Sequence, residues 1–306
     1  MPIKNRKLNS KWLIDTIRAE DSTPLRYGLY KANEKPKHLI LFLNGRTEWI
    51  EKYNFLPELL NLPESTAFLT MDHRGQGASG GARGDIDSYD TFAADTKHVL
   101  DHAGLDLPYS LMAHSMGGLI ALYSVLTEKT APIKIVLSSP LLGFPQTGLR
   151  AKIIKPVMRG LARTPIAMEP CLLVSGKEKS FEENPYTHDE DKFKLIINAP
   201  YWVPAPSYRW IKASLDAIET VFDKKNIKKL KAPLLVLGGT KETVVSQNAF
   251  QNWVEHAVKH TDIEITYRKI EGAKHELFNE SFDLSQKPLQ SCRHWLKEAF
   301  LPQAGN

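Results

Sequence analysis

The sequence predicts an α/β protein, with a mostly parallel central sheet, helices on both faces and one insertion. Three observations predict it. Short, continuously apolar runs recur at HLILFL (38–43), AFLTMD (67–72), IKIVLSSP (133–140) and APLLVLGG (232–239); such runs fill strands buried on both faces of a parallel sheet. Segments of helical length separate them. The rhythm stops between residue 141 and about 208, a proline-rich stretch without a clear strand, and then resumes. With 306 residues, 42% hydrophobic and 25% charged, the chain has ample material for a large core.

Taken in order, residues 12–31 alternate apolar and polar about the turn Asp21-Ser22-Thr23-Pro24, predicting an antiparallel hairpin. The 38–43 strand ends at Asn44-Gly45, and a helix is expected over 48–61. The 67–72 strand runs into the glycine-rich loop HRGQGASGG. Tyr89, Phe92, Ala93, Val99 and Leu100 suit one face of a helix over 88–103. Leu111, Met112 and Ala113 end a buried strand, and Gly117 and Gly118 open a helix. After the 133–140 and 232–239 strands come a helix at 246–259, the strand IEITYRKI (263–270) and a helix at 281–300. Residues 1–140 and 209–306 therefore form the core. Residues 141–208 form a cap over the carboxyl ends of the strands, where open α/β sheets bind ligands.

Within the cap, Lys152, Lys155, Arg159 and Arg163 share one stripe of a helical wheel, and Leu149, Ile153, Val157 and Leu161 share another face, with no acid between 149 and 163. Such a segment either packs its apolar face on the core or lies on an anionic lipid surface. Pro156 predicts a kink.

The net charge of +5 and the pI near 8.9 are weak and dispersed, and no nucleic-acid-binding motif accompanies them. Cys171 and Cys292 make neither a disulfide framework nor a ligand-like pair, which suits a reducing, cytoplasmic setting. No apolar core follows the basic MPIKNRKLNSKW, so no signal peptide is expected. No run approaches the roughly 18 apolar residues of a membrane span. The expectation is a soluble protein, peripheral at most to the inner membrane through its cap, with no cofactor and no metal.

Chemistry centres on YSLMAHSMGGLIAL (109–122). Ser115, flanked at spacing two by Ala113 and Gly117, sits on a strand-to-helix turn tight enough to force its backbone and expose its hydroxyl. The following helix aims free N–H groups at the same spot. A serine nucleophile needs a base, and the base an orienting acid. His275 follows the last strand in EGAKHELF, on the Ser115 edge, whereas His38 opens a strand, His188 lies in an acidic tract and His98, His102, His256 and His260 suit surface helices. His114 is expected to point elsewhere, because neighbours on a strand face opposite ways. Glu242 is the one carboxylate of GGTKETVVS. The oxyanion hole is expected from the N–H groups of Met116 and Arg46, the latter in NGRTEW after the 38–43 strand. Arg46 and Glu48 either contact substrate or pair with each other to stiffen that loop.

The order Ser115, Glu242, His275 resembles the α/β-hydrolase fold. Over nearly its full length the chain is similar to the bacterial lysophospholipases and their monoacylglycerol-lipase relatives. The resemblance rests on LNGRTEWIEKY, MDHRGQGASGG, AHSMGG, PSYRWIKAS and GAKHELF. Asn44 stands where many relatives have His, and Ala113 where most have Gly. The resemblance implies a serine carboxylic-ester hydrolase acting through an acyl-enzyme on a single-chain lipid ester, a lysophospholipid or monoacylglycerol. Glu48, Trp202 and Tyr208 are substrate-pocket candidates; Phe144, Ile153 and Trp210 suit either an acyl-chain pocket or core packing. An aryl or short-chain carboxylesterase is the alternative. A peptidase acting on N-terminal residues, or a ligand-binding protein with an idle triad, stands behind it.

Overall fold

The computed structural model describes residues 8–145, 148–171, 180–201, 203 and 205–297, with 148–154 as backbone alone. The strands are β1 (Trp12–Arg18), β2 (Pro24–Lys31), β3 (His38–Leu43), β4 (Thr66–Met71), β5 (Tyr109–His114), β6 (Lys134–Ser138), β7 (Leu234–Gly239) and β8 (Ile265–Ile270). They form one sheet in the order β1-β2-β4-β3-β5-β6-β7-β8. β1 and β2 make the expected antiparallel hairpin, β2 pairs antiparallel with β4, and every pairing from β4 to β8 is parallel.

The apolar runs read as doubly buried strands are so: β3, β4, β6 and β7 are buried throughout. Alternate side chains of β3 enter different cores, Leu39, Leu41 and Leu43 one and Ile40 and Phe42 the other, as the strand pleat dictates. Burying one such side chain is worth about 1.5–3 kcal/mol. Both faces therefore hold the central strands in place, and the loops at their carboxyl ends inherit that rigidity.

The helices are α1 (Leu56–Leu59), α2 (Tyr89–His102), α3 (Met116–Leu126), α4 (Gly148–Leu161), α5 (Glu190–Ile197), α6 (Tyr208–Phe222), α7 (Lys224–Ile227), α8 (Gln247–Val258) and α9 (Phe282–Lys297). Ser88 caps α2 by accepting the Asp90 N–H. One expectation needs correction. Residues 48–61 are not one helix but a 3₁₀ turn at Ile50–Tyr53 followed by the short α1. Pro57, which has no N–H to give, sits in the first turn of α1, where it is tolerated. Pro156 lies inside α4, which continues on both sides of it. The ring is exposed, so it meets solvent rather than a packed neighbour.

The segment between β6 and β7 is stitched to the sheet on two sides. On one, Pro185 and Tyr186 accept the N–H groups of His275 and Glu276, while the Glu280 carboxylate holds the N–H and ring of His188. On the other, Asp85 binds Ser207 and Arg209, and Val203 accepts from Arg46. No helix among the described residues is long and apolar enough to cross a membrane.

Candidate active site

The loops leaving β3, β5, β7 and β8 converge at one rim of the sheet and bring Arg46, Ser115, Glu242 and His275 around a single cavity of about 260 Å³, lined by Arg46, Ser115, His275 and the two valines that follow Glu242. Ser115 occupies φ 52°, ψ −118°, a strained region for a residue with a side chain. The turn survives because its main chain is fully engaged. The Ser115 N–H donates to Ser138 O at 3.0 Å, and its carbonyl accepts from Gly118 and Leu141 at 2.9 Å each. Gly117 is obligatory here, since a Cβ on it would stand 2.2 Å from the Leu43 carbonyl oxygen. Ala113 is buried within β5, opposite Leu43, and its methyl obstructs nothing at the turn.

His275 reaches Ser115 from the loop after β8. Its Nε2 lies 3.0 Å from Ser115 Oγ, and its Nδ1 2.7 Å from Glu242 Oε2. The other Glu242 oxygen accepts the N–H groups of Val244 at 2.7 Å and Val245 at 3.2 Å. Burial alone would raise the Glu242 pKa, but His275 and these N–H donors hold it below the usual carboxylate value. An ionised Glu242 requires a proton on Nδ1, which leaves Nε2 free to accept the Ser115 O–H. Burial would likewise lower the His275 pKa. The carboxylates of Glu242, Glu276 and Glu48 outweigh it, and the net direction is up. The Ser139 hydroxyl, on a residue at φ 44°, fixes the His275 carbonyl at 2.9 Å; the sequence carries no signal for this contact.

The N–H groups of Arg46 and Met116 have no acceptor among the described residues. Their neighbours do: Gly45 N–H donates to Glu48, and Thr47 N–H to Gln76 Oε1 at 2.8 Å. Gly45 keeps this loop against the serine, for a Cβ there would lie 3.2 Å from that of Ser115. Asn44 bridges strands by donating to the Met71 carbonyl at 3.0 Å.

Behind His275 lies a buried polar cluster that sequence reading largely missed. The Lys52 ammonium bonds both Glu48 and Glu276, and Tyr53 Oη lies 3.0 Å from Glu48. Burial would raise the Glu276 pKa, but Lys52 holds it well below the usual value. Only the four-residue spacing of Glu48 and Lys52 hinted at the pair. Glu48 and Glu276, with His114, offer three ligand atoms within 4.8 Å of one another. The Lys52 ammonium already bonds both carboxylates and would repel a cation there.

Several expectations fail here. Arg46 does not pair with Glu48, which Lys52 occupies one turn later; it turns to the Val203 carbonyl and the Trp210 ring. His114 does not point away: it lines the cavity with its ring 4.8 Å from that of His275. Strand alternation stops applying once the backbone leaves the extended region at Ser115. Tyr208 does not line the cavity but lies beside Cys171. Trp210, two residues on and so on the far side of α6, takes the lining position. Glu48 does line it, and Trp202 lies outside the described residues.

The family profile described as serine aminopeptidase S33 matches residues 34–281. The phospholipase YtpA of Bacillus subtilis is 30% identical over 81% of this chain and 91% of its own length. A protein of Haemophilus influenzae named probable lysophospholipase L2 is 28% identical over 85% and 84%. Among solved structures, a soluble variant of the Saccharomyces cerevisiae monoglyceride lipase superposes with a TM-score of 0.79 at 17% identity, covering 97% of this chain and 98% of that one. The chain belongs to the serine aminopeptidase S33 family of hydrolases and has the α/β-hydrolase fold.

Proposed function

We propose that this member of the family hydrolyses the ester of a single-chain lipid, a lysophospholipid or monoacylglycerol, through an acyl-enzyme on Ser115. The observation that carries the proposal is the unbroken contact series Ser115–His275–Glu242 at a pocket whose walls include Leu141, Phe144, Ile196 and Val245. Ser115 Oγ attacks the ester carbonyl as its proton passes to His275 Nε2. Glu242 holds the imidazole in the right tautomer and stabilises the imidazolium. The N–H groups of Arg46 and Met116 receive the tetrahedral oxyanion, a contribution of about 2.7–4 kcal/mol per donor in such sites. Nε2 then protonates the departing glyceryl oxygen. Water, deprotonated by the same nitrogen, attacks the acyl-enzyme and releases the fatty acid.

The names of the phospholipase and lysophospholipase relatives support the lipid reading. A peptidase acting on N-terminal residues would need a free carboxylate for the substrate's ammonium. Glu48 and Glu276, which line the cavity, are both committed to Lys52. We take residues 141–208 as the cap and the remainder as the core. Exposed Val157, Ile166 and Met168, beside the basic stripe, support contact of the cap with the inner-membrane surface. Arg159 contributes less than the stripe suggests, since it pairs with Asp216 and Glu219.

Turnover of lysophospholipids, monoacylglycerols and short aryl esters, with Ser115→Ala as blank, tests the reading. The long single-chain lipids should turn over fastest; faster cleavage of short esters would replace lipid with general esterase activity. The cap should bind anionic vesicles more tightly than zwitterionic ones, less so as salt rises. Equal binding to both retires the membrane contact.

A further inference from the structure

Two cations line the cavity, and they differ in one respect. Lys52 sits between two carboxylates. The Arg46 guanidinium donates one hydrogen bond, from Nη1 to the Val203 carbonyl at 3.0 Å, and lies 5.9 Å from the centre of the Trp210 ring. No carboxylate among the described residues bonds it. Burial pushes its pKa down only to about 10, so it stays charged at neutral pH. Arg46 is partly buried, so an anionic partner at that place would offset the cost of desolvating its guanidinium. Trp210 adds an unmet donor: it lines the same cavity, and its buried indole N–H has no acceptor among the described residues. A guanidinium with N–H groups to spare beyond its one bond to Val203, beside an indole N–H without an acceptor among the described residues, describes a place for an anion with several oxygens.

Its position says which anion. The Arg46 N–H belongs to the proposed oxyanion site, and the guanidinium stands one arginine side chain away. A similar span separates the ester carbonyl from the phosphate in a single-chain glycerophospholipid. The carboxylate of the released fatty acid forms at the oxyanion site itself and is out of register with the guanidinium. We propose that the Arg46 side chain receives the phosphate of the substrate headgroup, making lysophospholipids, rather than uncharged monoacylglycerols, the preferred substrates. This rests on the lipid-ester reading above.

The test is the ratio of kcat/KM for a palmitoyl lysophospholipid to that for palmitoylglycerol, in mixed micelles of neutral detergent, for wild type, Arg46→Met and Arg46→Lys. Both substrates use the same oxyanion N–H, so any disturbance of it cancels in the ratio. The wild-type ratio should exceed one. It should fall roughly ten- to hundredfold in Arg46→Met, the worth of a hydrogen bond to a charged group, and recover part way in Arg46→Lys. An unchanged ratio overturns the assignment while leaving lipid-ester hydrolysis standing; absence of turnover of either substrate overturns both. With wild type alone, glycerol 3-phosphate should inhibit palmitoylglycerol turnover at concentrations at least about tenfold below glycerol. Equal inhibition by the two contradicts the proposal without requiring any variant to fold.

Discussion

The cavity has two unlike walls. One is made by the ends of β3, β5, β7 and β8, where each functional group is held by main-chain bonds and buried neighbours: Ser115 by Ser138, Gly118 and Leu141, Glu242 by two N–H groups, His275 by Ser139. The other is the segment between β6 and β7, which leaves Val157, Ile166, Met168 and Ile197 exposed, packs Met158, Cys171, Trp210 and Ile211 into the core and adds polar stitches at Asp85, Arg46 and Glu280. The difference separates chemistry from selection. Groups that must hold a fraction of an ångström are anchored in the ladder of a doubly buried sheet. Groups that face the rest of the substrate, Phe144 and Ile196 between β6 and β7 and the Arg46 side chain after β3, lie off that ladder, where sequence can drift without moving the reacting atoms.

Substitutions on the two walls should differ in size and kind. On the sheet side, Ser115→Ala should lower kcat by roughly four to six orders of magnitude with little change in melting temperature, measured by single-turnover hydrolysis beside thermal unfolding. Glu242→Gln keeps the shape but loses the charge that fixes the imidazole tautomer, and kcat should fall roughly 10³- to 10⁴-fold.

Glu276→Gln probes the cluster behind the base. In the proposed mechanism His275 acts as a neutral base, so kcat should rise with pH as it loses its proton. Burial pulls its pKa down, and Glu242, Glu276 and Glu48 more than compensate. Removing the Glu276 charge should move the acid limb of the kcat–pH profile to lower pH. An unmoved limb would mean that the cluster is structural only.

On the cap side the effects should be smaller and of another kind. Asn184 ties the loop beside His275 together by donating to the Thr187 carbonyl and accepting the N–H groups of Tyr186 and Thr187. Asn184→Ala should cost about 1–3 kcal/mol in stability, the range for buried groups losing a partner, and should raise KM more than it lowers kcat. Arg159→Ala, which cuts half-exposed pairs with Asp216 and Glu219, should cost under about 1 kcal/mol in urea unfolding. A large kcat loss from either cap change would erase the distinction between the walls.

The same division explains what could be read from the sequence. Continuous apolar runs marked β3, β4, β6 and β7, because a strand buried on both faces leaves no other pattern. Small residues around Ser115, and the placing of His275 and Glu242 just past strands, pointed to one rim. Glu276 carried no sign of its place and Lys52 only its four-residue spacing from Glu48, since a buried ion cluster looks like surface charge until its elements are packed together. Arg46 was legible as a main-chain donor but not as a side chain, because its neighbours Val203 and Trp210 are more than 150 residues away. Tyr208 and Trp210 were both candidates; choosing between them required the rotation of α6. Pro57, inside the expected 48–61 helix, is the sequence signal for the break seen there.

The proposed mechanism places the acyl group on Ser115 Oγ. Intact-protein mass spectrometry after treatment with a fluorophosphonate addresses it directly, followed by peptide mapping of the adduct in wild type, Ser115→Ala and His275→Ala. One adduct per wild-type chain, on the peptide containing Ser115, absent from Ser115→Ala and formed far more slowly in His275→Ala, is the expected result. Full ester turnover by Ser115→Ala, or an adduct that forms at the same rate without the imidazole, would contradict it.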